Sequence, residues 1–364
     1  MSATAASLEE VKDAVRSIEP GMRLLPVAGA TKPALSASGR ADVEQLDLSK
    51  LSGVLEYDPA ELTLTALAGT PVREVEATLA EHHQYLPFDP PLVAAGATLG
   101  GVVAAGTSGA GAWRYGGVRD FVIGVRFIDG TGRLIAGGGK VVKNAAGFDL
   151  PKLMVGSIGR LGVLVQLSFK VFPRPPATTT LEFAFDSTAR AVAAATALAR
   201  GPVELDALDI LPDGRLLARL GGRAETLGSR RTRLAGLVDA AATRHDGEQE
   251  RALWRDAAEL AWAPANSTLV RVGLSTRRIV ALDAALGATA DLQVRYGIGG
   301  TVAWISWPAA VPLDHLDAIL HDLALPGMVL LGPPDRPLLG PGTGGAFGAR
   351  ISRALDPNSR FLEV

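Results

Sequence analysis

The chain contains no cysteine. That excludes disulfides, zinc ribbons, cysteine nucleophiles and any iron–sulfur cluster built from this chain alone. Histidine occurs only five times, at His82, His83, His245, His315 and His321, and only the first two are adjacent. They fall near the end of a predicted helix and read as surface residues, so no metal site is expected. A net charge of -2 gives no basis for a nucleic-acid or general polyanion binder. No run of membrane-span length is free of charge, glycine or proline. The opening residues, MSATAASLEEVKDAV, lack a basic segment followed by an apolar one, so no signal peptide is read and the expected location is cytoplasmic.

What is present is an ordinary globular composition, 48% apolar and 20% charged over 364 residues, enough for two or three domains. Glycine is concentrated between Pro90 and Pro175, at Gly96, Gly100, Gly101, Gly106, Gly109, Gly111, Gly116 and Gly117, then at Gly147, Gly156, Gly159 and Gly162. Such density disfavours helices and strands, because glycine loses the most backbone entropy on ordering. A segment that accepts this cost either makes many tight turns or brings its backbone close to another group. Upstream, a short strand, Arg23 to Val27, runs into Ala28-Gly29-Ala30-Thr31-Lys32-Pro33. A strand opening into a small-residue loop that ends in Thr-Lys has the makings of a phosphate cradle, although it has neither Walker spacing nor a G-x-G-x-x-G fingerprint.

Apolar spacing predicts a helix over residues 8–18 and a hairpin whose strands lie at 54–57 and 62–65. Thr70 is read as the cap of a helix with Pro71 at its first position, and Thr98 as the cap of a short helix, Leu99 to Ala105. Gly100 and Gly101 in that first turn leave N–H groups that a ligand oxygen can approach. A second hairpin turns at Asp129-Gly130-Thr131-Gly132, a G-x-G read as structural because it sits between strands. Asp149 is read as the cap of a helix 150–155, and residues 162–172 as a long strand. Pro173-Arg174-Pro175-Pro176 is the clearest linker. Beyond it, a strand–helix–strand–strand–helix order occurs twice, with the second helix of the first set read to Ala242. That implies an antiparallel sheet of ferredoxin-like type with helices on one face. The expected division is 1–175, 176–331 and a Gly/Pro-rich segment with a short helix, 332–364.

The motifs VAGATK (27–32), ATLGGVVAAG (97–106), RYGGVRDFVIG (114–124), KNAAGFDLPKLMVGSIGRLGVL (143–164) and KVFPRP (170–175) resemble, in order and spacing, the vanillyl-alcohol oxidase type (PCMH-type) flavoproteins. Within these, the chain resembles the FAD-binding subunits of bacterial glycolate oxidases. The resemblance covers the first half of the chain; the second half matches in outline only. It implies an α+β fold, a two-part PCMH-type FAD-binding domain followed by a smaller ferredoxin-like cap domain. It implies that Ala28, Gly29, Ala30, Thr31 and Lys32 hold the FAD pyrophosphate. Pro91, Thr98, Gly101 and Ser108 would line a second wall, Asn144 and Gly147 would approach from the next segment, and Gly162 and Val163 would lie on the adenine side. The related larger, catalytic subunits carry Glu and Thr where Ile158 and Arg160 stand here, and a histidine-rich substrate motif that has no counterpart between Tyr296 and Val364. The usual closing Asn-Pro-Gly is replaced by Asp356-Pro357-Asn358-Ser359-Arg360-Phe361, so no flavin contact is assigned there. Neither histidine nor cysteine occurs between Val93 and Asp120, so FAD is expected to be non-covalent.

Three functions follow. One is an FAD-carrying subunit of a glycolate or D-2-hydroxyacid oxidase complex that takes part in electron transfer. Its partners would be a larger FAD-linked catalytic subunit and an iron–sulfur subunit, through which the chain would reach the inner face of the cell membrane. The second is a self-sufficient FAD oxidoreductase in which Arg271, Arg295 or Tyr296 grips a carboxylate. The third is a non-catalytic scaffold whose flavin fold is a relic. No catalytic residue is assigned. The poverty of acid–base groups in the motifs favours the first over the second, and the intact loops favour it over the third.

Overall fold

The computed structural model describes residues 2–139, 148–287, 289–334, 336–342 and 344–362. It divides into two compact units, one of Met1–Ser108, Gly116–Pro173 and Thr343–Val364, the other of Gly109–Tyr115 and Arg174–Gly342. The expected independent segment 332–364 is thus shared between the two, and residues 109–115 cluster with the second.

In the first unit, strands β1 (Ser2–Thr4), β2 (Arg23–Val27) and β3 (Val43–Asp47) form a parallel sheet in the order β1-β3-β2. The helix Leu8–Ser17 buries Val11 and Val15 at its one-turn repeat, in the core that contains Leu24 and Leu46 of this sheet. Strands β4 (Val54–Asp58), β5 (Thr63–Leu67), β6 (Val122–Ile128), β7 (Leu134–Gly138) and β8 (Val163–Lys170) form an antiparallel sheet in the order β4-β5-β8-β6-β7. The C-terminal residues close the first sheet: Leu24 N donates to Arg360 O (2.7 Å), Leu362 N donates to Leu24 O (3.2 Å), and Phe361 is 1% exposed. The Arg360 guanidinium donates to Val15 O (2.6 Å) and Arg16 O (3.0 Å), satisfying orphan carbonyls at the end of the first helix. Thr70 does not cap the helix that follows it. Its hydroxyl donates to Leu67 O (2.7 Å) and accepts from Gly53 N (2.9 Å), fixing two loops, while Pro71 occupies the cap of Val72–Ala80.

The second unit is a nine-stranded sheet whose first eight strands are two copies of one pattern. The first copy is β9 (Ala177–Phe183), β10 (Ala207–Ile210), β11 (Leu216–Gly222) and β12 (Ala242–Asp246); the second is β13 (Thr268–Gly273), β14 (Gln293–Gly297), β15 (Val302–Trp307) and β16 (Gly327–Leu331). Within each copy the spatial order is fourth, first, third, second, the ferredoxin-like order. Each copy has a closing strand that the sequence reading lacked. The helix expected to reach Ala242 ends at Ala235, with Gly236 at its cap, and the chain returns as edge strand β12.

Helices cover both faces of this sheet, not one. Side chains alternate along β9 and β11, so Thr178, Thr180 and Arg219 face opposite to Leu181, Phe183 and Ala218. The helix Gly247–Ala258 lies over the polar set through Glu250, which is 0% exposed. Glu250 accepts from Thr178 Oγ1 (2.7 Å), Thr180 Oγ1 (3.1 Å) and Arg219 Nε (2.8 Å). Trp254 on the same helix donates to Thr180 Oγ1 (2.9 Å). On the other face, Tyr296 donates to Asp283 (3.2 Å) of the helix Ile279–Leu286. Removing one member of a buried ion pair strands the other. Glu250→Ala should therefore lower unfolding free energy by about 3 kcal/mol in a denaturant titration; a loss within ~0.5 kcal/mol, typical of a surface change, would show that the network carries no stability.

Candidate cofactor site

The chain leaves β2 at Val27 and turns through residues 28–32 before the one-turn helix Pro33–Ser36. The N–H groups of Ala28, Gly29, Ala30, Thr31 and Lys32 donate to no acceptor among the described residues. Ala30 holds a left-handed backbone (φ +46°), which turns the strand's ladder into a concave run of donors. Lys32 is 5% exposed, and its ammonium has one weak contact, Thr31 Oγ1 at 3.4 Å. Burial pushes the Lys32 amine down to about 8. This loop therefore presents five free donors and a desolvated cation with no counter-ion.

The opposite wall is the helix Leu99–Ala105. Thr98 caps it, accepting from Gly101 N (3.3 Å). Leu99 N donates to Thr70 O (3.0 Å) and Gly100 N to Ala68 O (2.7 Å). The expectation that a ligand oxygen meets these first-turn N–H groups is thus overturned: two dock the helix and the third is taken by its own cap. The glycines divide accordingly. A Cβ on Gly29 would run into the Gly96 carbonyl, and one on Gly100 into the Ala68 carbonyl at 2.8 Å, so both serve backbone-to-backbone packing. A Cβ on Gly101 would meet only the capping Thr98 Oγ1, at 3.2 Å, and otherwise enter the cleft.

A third segment, residues 156–164, completes the site. Gly156 N donates to Val103 O (3.0 Å) and Ile158 N to Ala104 O (2.8 Å), pinning a turn in which Ile158 (φ +53°) is left-handed. The three segments line a cleft that is open to solvent. Of the residues named from sequence, Ala28, Gly29, Ala30, Thr31, Lys32, Thr98, Gly101 and Gly162 line it. Pro91, Ser108 and Val163 lie outside it. Pro91 is buried in the loop before Gly96; Ser108 Oγ accepts from Val118 N (2.9 Å); Val163 is in the core with Val11 and Leu24. Asn144 and Gly147 fall outside the described residues. The sequence reading missed the apolar lining, including Leu35, Leu48, Ala104, Ile158 and Leu164. Nothing in a single leucine or alanine distinguishes a cleft from a core; only Ile158 carries a mark, its left-handed backbone, and that is invisible in sequence.

Among the described residues no carboxylate lines the cleft, and its donors suit a diphosphate with an apolar ring system beside it. Residues 2–138 match the family model described as FAD binding domain. This part of the chain is similar to FAD-binding domains, and the cofactor is FAD. Over 177 residues the sequence is 45% identical to glycolate oxidase subunit GlcE of Escherichia coli, covering 48% of this chain and 49% of that protein. It is 32% identical over 162 residues to glycolate oxidase subunit GlcD of Bacillus subtilis, covering 44% of this chain and 34% of that protein. It is 30% identical over 176 residues to mitochondrial D-lactate dehydrogenase (cytochrome) 1 of Saccharomyces cerevisiae, covering 48% and 30%. The chain thus spans half or less of the length of these relatives. A solved structure of alkyldihydroxyacetonephosphate synthase superposes with a TM-score of 0.73 at 17% identity, covering 99% of this chain and 75% of that one. The α+β fold expected from the sequence is the fold observed.

The FAD-binding domain's two kinds of glycine are separable by experiment. Gly29→Val should cost the FAD-free chain about 2 kcal/mol or more of stability, because the clash is with backbone. Gly101→Val should leave its melting temperature near wild type yet weaken FAD binding at least tenfold in a fluorescence titration. The reverse pattern would mean that the roles are exchanged.

Lys32 makes FAD affinity pH-dependent. The free chain's ammonium deprotonates near pH 8, whereas a bound anion favours the charged form. Affinity should therefore be flat below pH 7 and fall above pH 8, with proton uptake on binding. Stability of the FAD-free chain should move oppositely, rising above pH 8, since the unfolded lysine there binds the proton that the folded one has lost. Lys32→Met should abolish both slopes; a wild-type profile that stays flat from pH 6.5 to 9.5 would refute the assignment.

Proposed function

We propose that this chain is the FAD-binding subunit of a glycolate or D-2-hydroxyacid oxidase complex and takes part in its flavin-based electron transfer. The observation that carries this reading is a site equipped to hold FAD beside a set of histidines engaged elsewhere. FAD, when bound, supplies the group that accepts electrons or a hydride and passes them on. Oxidising a 2-hydroxyacid also needs a base for the hydroxyl proton, and histidine is the common choice because its pKa lies near neutrality. Here His82 packs edge-on against Tyr57 (5.5 Å), His245 Nε2 lies 3.0 Å from Glu182, His315 stands against Trp307 (5.9 Å), and His321 Nδ1 lies 3.0 Å from Asp317 O. His83 holds a left-handed turn (φ +54°). None lines the cleft.

The proposed partners are a larger FAD-linked catalytic subunit and an iron–sulfur subunit. The chain has no cysteine with which to build its own relay. Among the described residues no helix is long and apolar enough to cross a membrane, so contact with the inner face of the cell membrane would come through those partners.

One observation supports the self-sufficient alternative. Arg295 is committed to Asp209 (2.8 Å) and Tyr296 to Asp283 (3.2 Å), but Arg271 Nε is buried without a partner among the described residues. A carboxylate grip on the second unit would fall to Arg271. Anaerobic mixing of the flavin-loaded isolated chain with excess glycolate, D-lactate or L-lactate separates the two readings. The flavin band should persist for the isolated chain and bleach when the co-purified partner chains are present. Rapid, complete bleaching by the chain alone would place the active site here and sink the accessory-subunit reading.

A further inference from the structure

Arg160 lies in the third segment of the cleft, between Gly159 and Gly162, which both line it. Its backbone closes a tight turn, Arg160 N donating to Ser157 O (2.9 Å). The side chain has no matching purpose in the fold. Nε and Nη1 are both buried and have no hydrogen-bond partner among the described residues, and neither do the buried hydroxyls of the neighbouring Ser157 and of Thr107. Burial, with a smaller contribution from the nearby Arg40, pushes the Arg160 guanidinium down to about 10. Arg40 is itself offset by Asp42, with Nε–Oδ1 at 2.9 Å and Nη2–Oδ2 at 2.6 Å. No carboxylate hydrogen-bonds to Lys32 or to Arg160 among the described residues. The first unit thus keeps the buried Lys32 and the half-buried Arg160 without a carboxylate partner among the described residues, a costly state unless an anion completes it.

We propose that Arg160 is a ligand of the FAD diphosphate, its guanidinium joining Lys32 to balance the two negative charges. A planar guanidinium bonds phosphate oxygens through paired N–H groups, which a lysine cannot do. The proposal rests on the FAD reading of the cleft and adds a residue where the related catalytic subunits carry threonine. It also divides labour between the walls: free backbone N–H groups and Lys32 from residues 28–32 on one side, a side-chain clamp from residues 157–162 on the other.

The test measures binding of FAD, ADP, adenosine and inorganic phosphate to the full chain freed of flavin, without reference to turnover. Arg160→Gln should weaken FAD and ADP at least tenfold, leave adenosine unchanged, and lower the dependence of ADP binding on salt. Arg160→Lys should recover part of the loss. An equal loss for adenosine would mean that the guanidinium packs on the adenosine moiety, and no loss at all would mean a purely structural arginine; either overturns the proposal. Should Arg160→Gln fail to fold, the wild-type arginine Nε–H resonance, assigned through Arg160→Lys, serves instead. It must shift with ADP and with phosphate but not with adenosine; a resonance unmoved by ADP overturns the proposal. A wild-type chain that binds no FAD at all would instead bring down the cofactor reading itself.

Discussion

A buried diphosphate must be matched by positive charge and donors that the fold has already removed from water, and the first unit is organised around that requirement. Holding Lys32 almost fully buried and leaving five consecutive N–H groups free is unfavourable in the absence of ligand. The surrounding backbone makes it sustainable by satisfying everything else. The first-turn N–H groups of Leu99–Ala105 are docked on Thr70, Ala68 and Thr98; the turn at 156–158 hangs from Val103 and Ala104; Gly29 lies against the Gly96 carbonyl. The walls are fixed by protein–protein bonds, and the N–H groups of residues 28–32 are left without acceptors among the described residues. This is preorganisation in its usual sense: ordering costs fall on folding and not on binding.

The sequence made the location of this site legible but not its internal division of labour. Glycine density marked the segments because both uses of glycine, close packing of backbones and admission of a ligand, need the same absence of Cβ. For that reason Gly29 and Gly101 look alike in sequence and differ in space, one facing a carbonyl and the other the cleft. Arg160 was visible only as a departure from a related motif; that its Nε and Nη1 are buried without a partner among the described residues is a fact of packing. Thr70-Pro71 carries a cap signature, yet the threonine hydroxyl is worth more to two adjoining loops, a tertiary override of a local signal. In the second half, alanine, leucine and arginine kept the helical pattern running past Gly236, whereas β12 is a largely exposed edge strand with little apolar alternation to announce it.

The repeated architecture of the second unit also has a physical seam. Its two ferredoxin-like halves meet through their second strands, β10 and β14, with the single registered pair Ile210 and Tyr296. Next to that thin ladder, Asp209 on β10 accepts two bonds from Arg295 on β14 (3.0 and 2.8 Å) and one from Ile298 N (3.0 Å). A charged pair with its remaining lone pairs satisfied replaces the strand hydrogen bonds that the seam lacks. Trp254 lies within 6 Å of both Arg219 and Arg295, so one aromatic ring borders the seam pair and the Glu250 network together.

The two units differ in how their cations are compensated. In the second unit the arginines on the polar face are neutralised internally: Arg219 by Glu250, Arg295 by Asp209, and Arg114 by Asp206 and Glu204, leaving Arg271. In the first unit Lys32 and Arg160 have no carboxylate hydrogen-bonded to them among the described residues. Internal pairing makes a cation a structural part, since separating it from its partner to receive a ligand would forfeit a buried ion pair. An unpaired one is available at no such cost. Anion recognition therefore belongs chiefly to the first unit, where the anion we propose is the cofactor's own diphosphate. A chain that invests its free charge in holding a cofactor, and retains one candidate for a substrate carboxylate with no histidine in its cleft, is built to carry electrons more than to abstract protons.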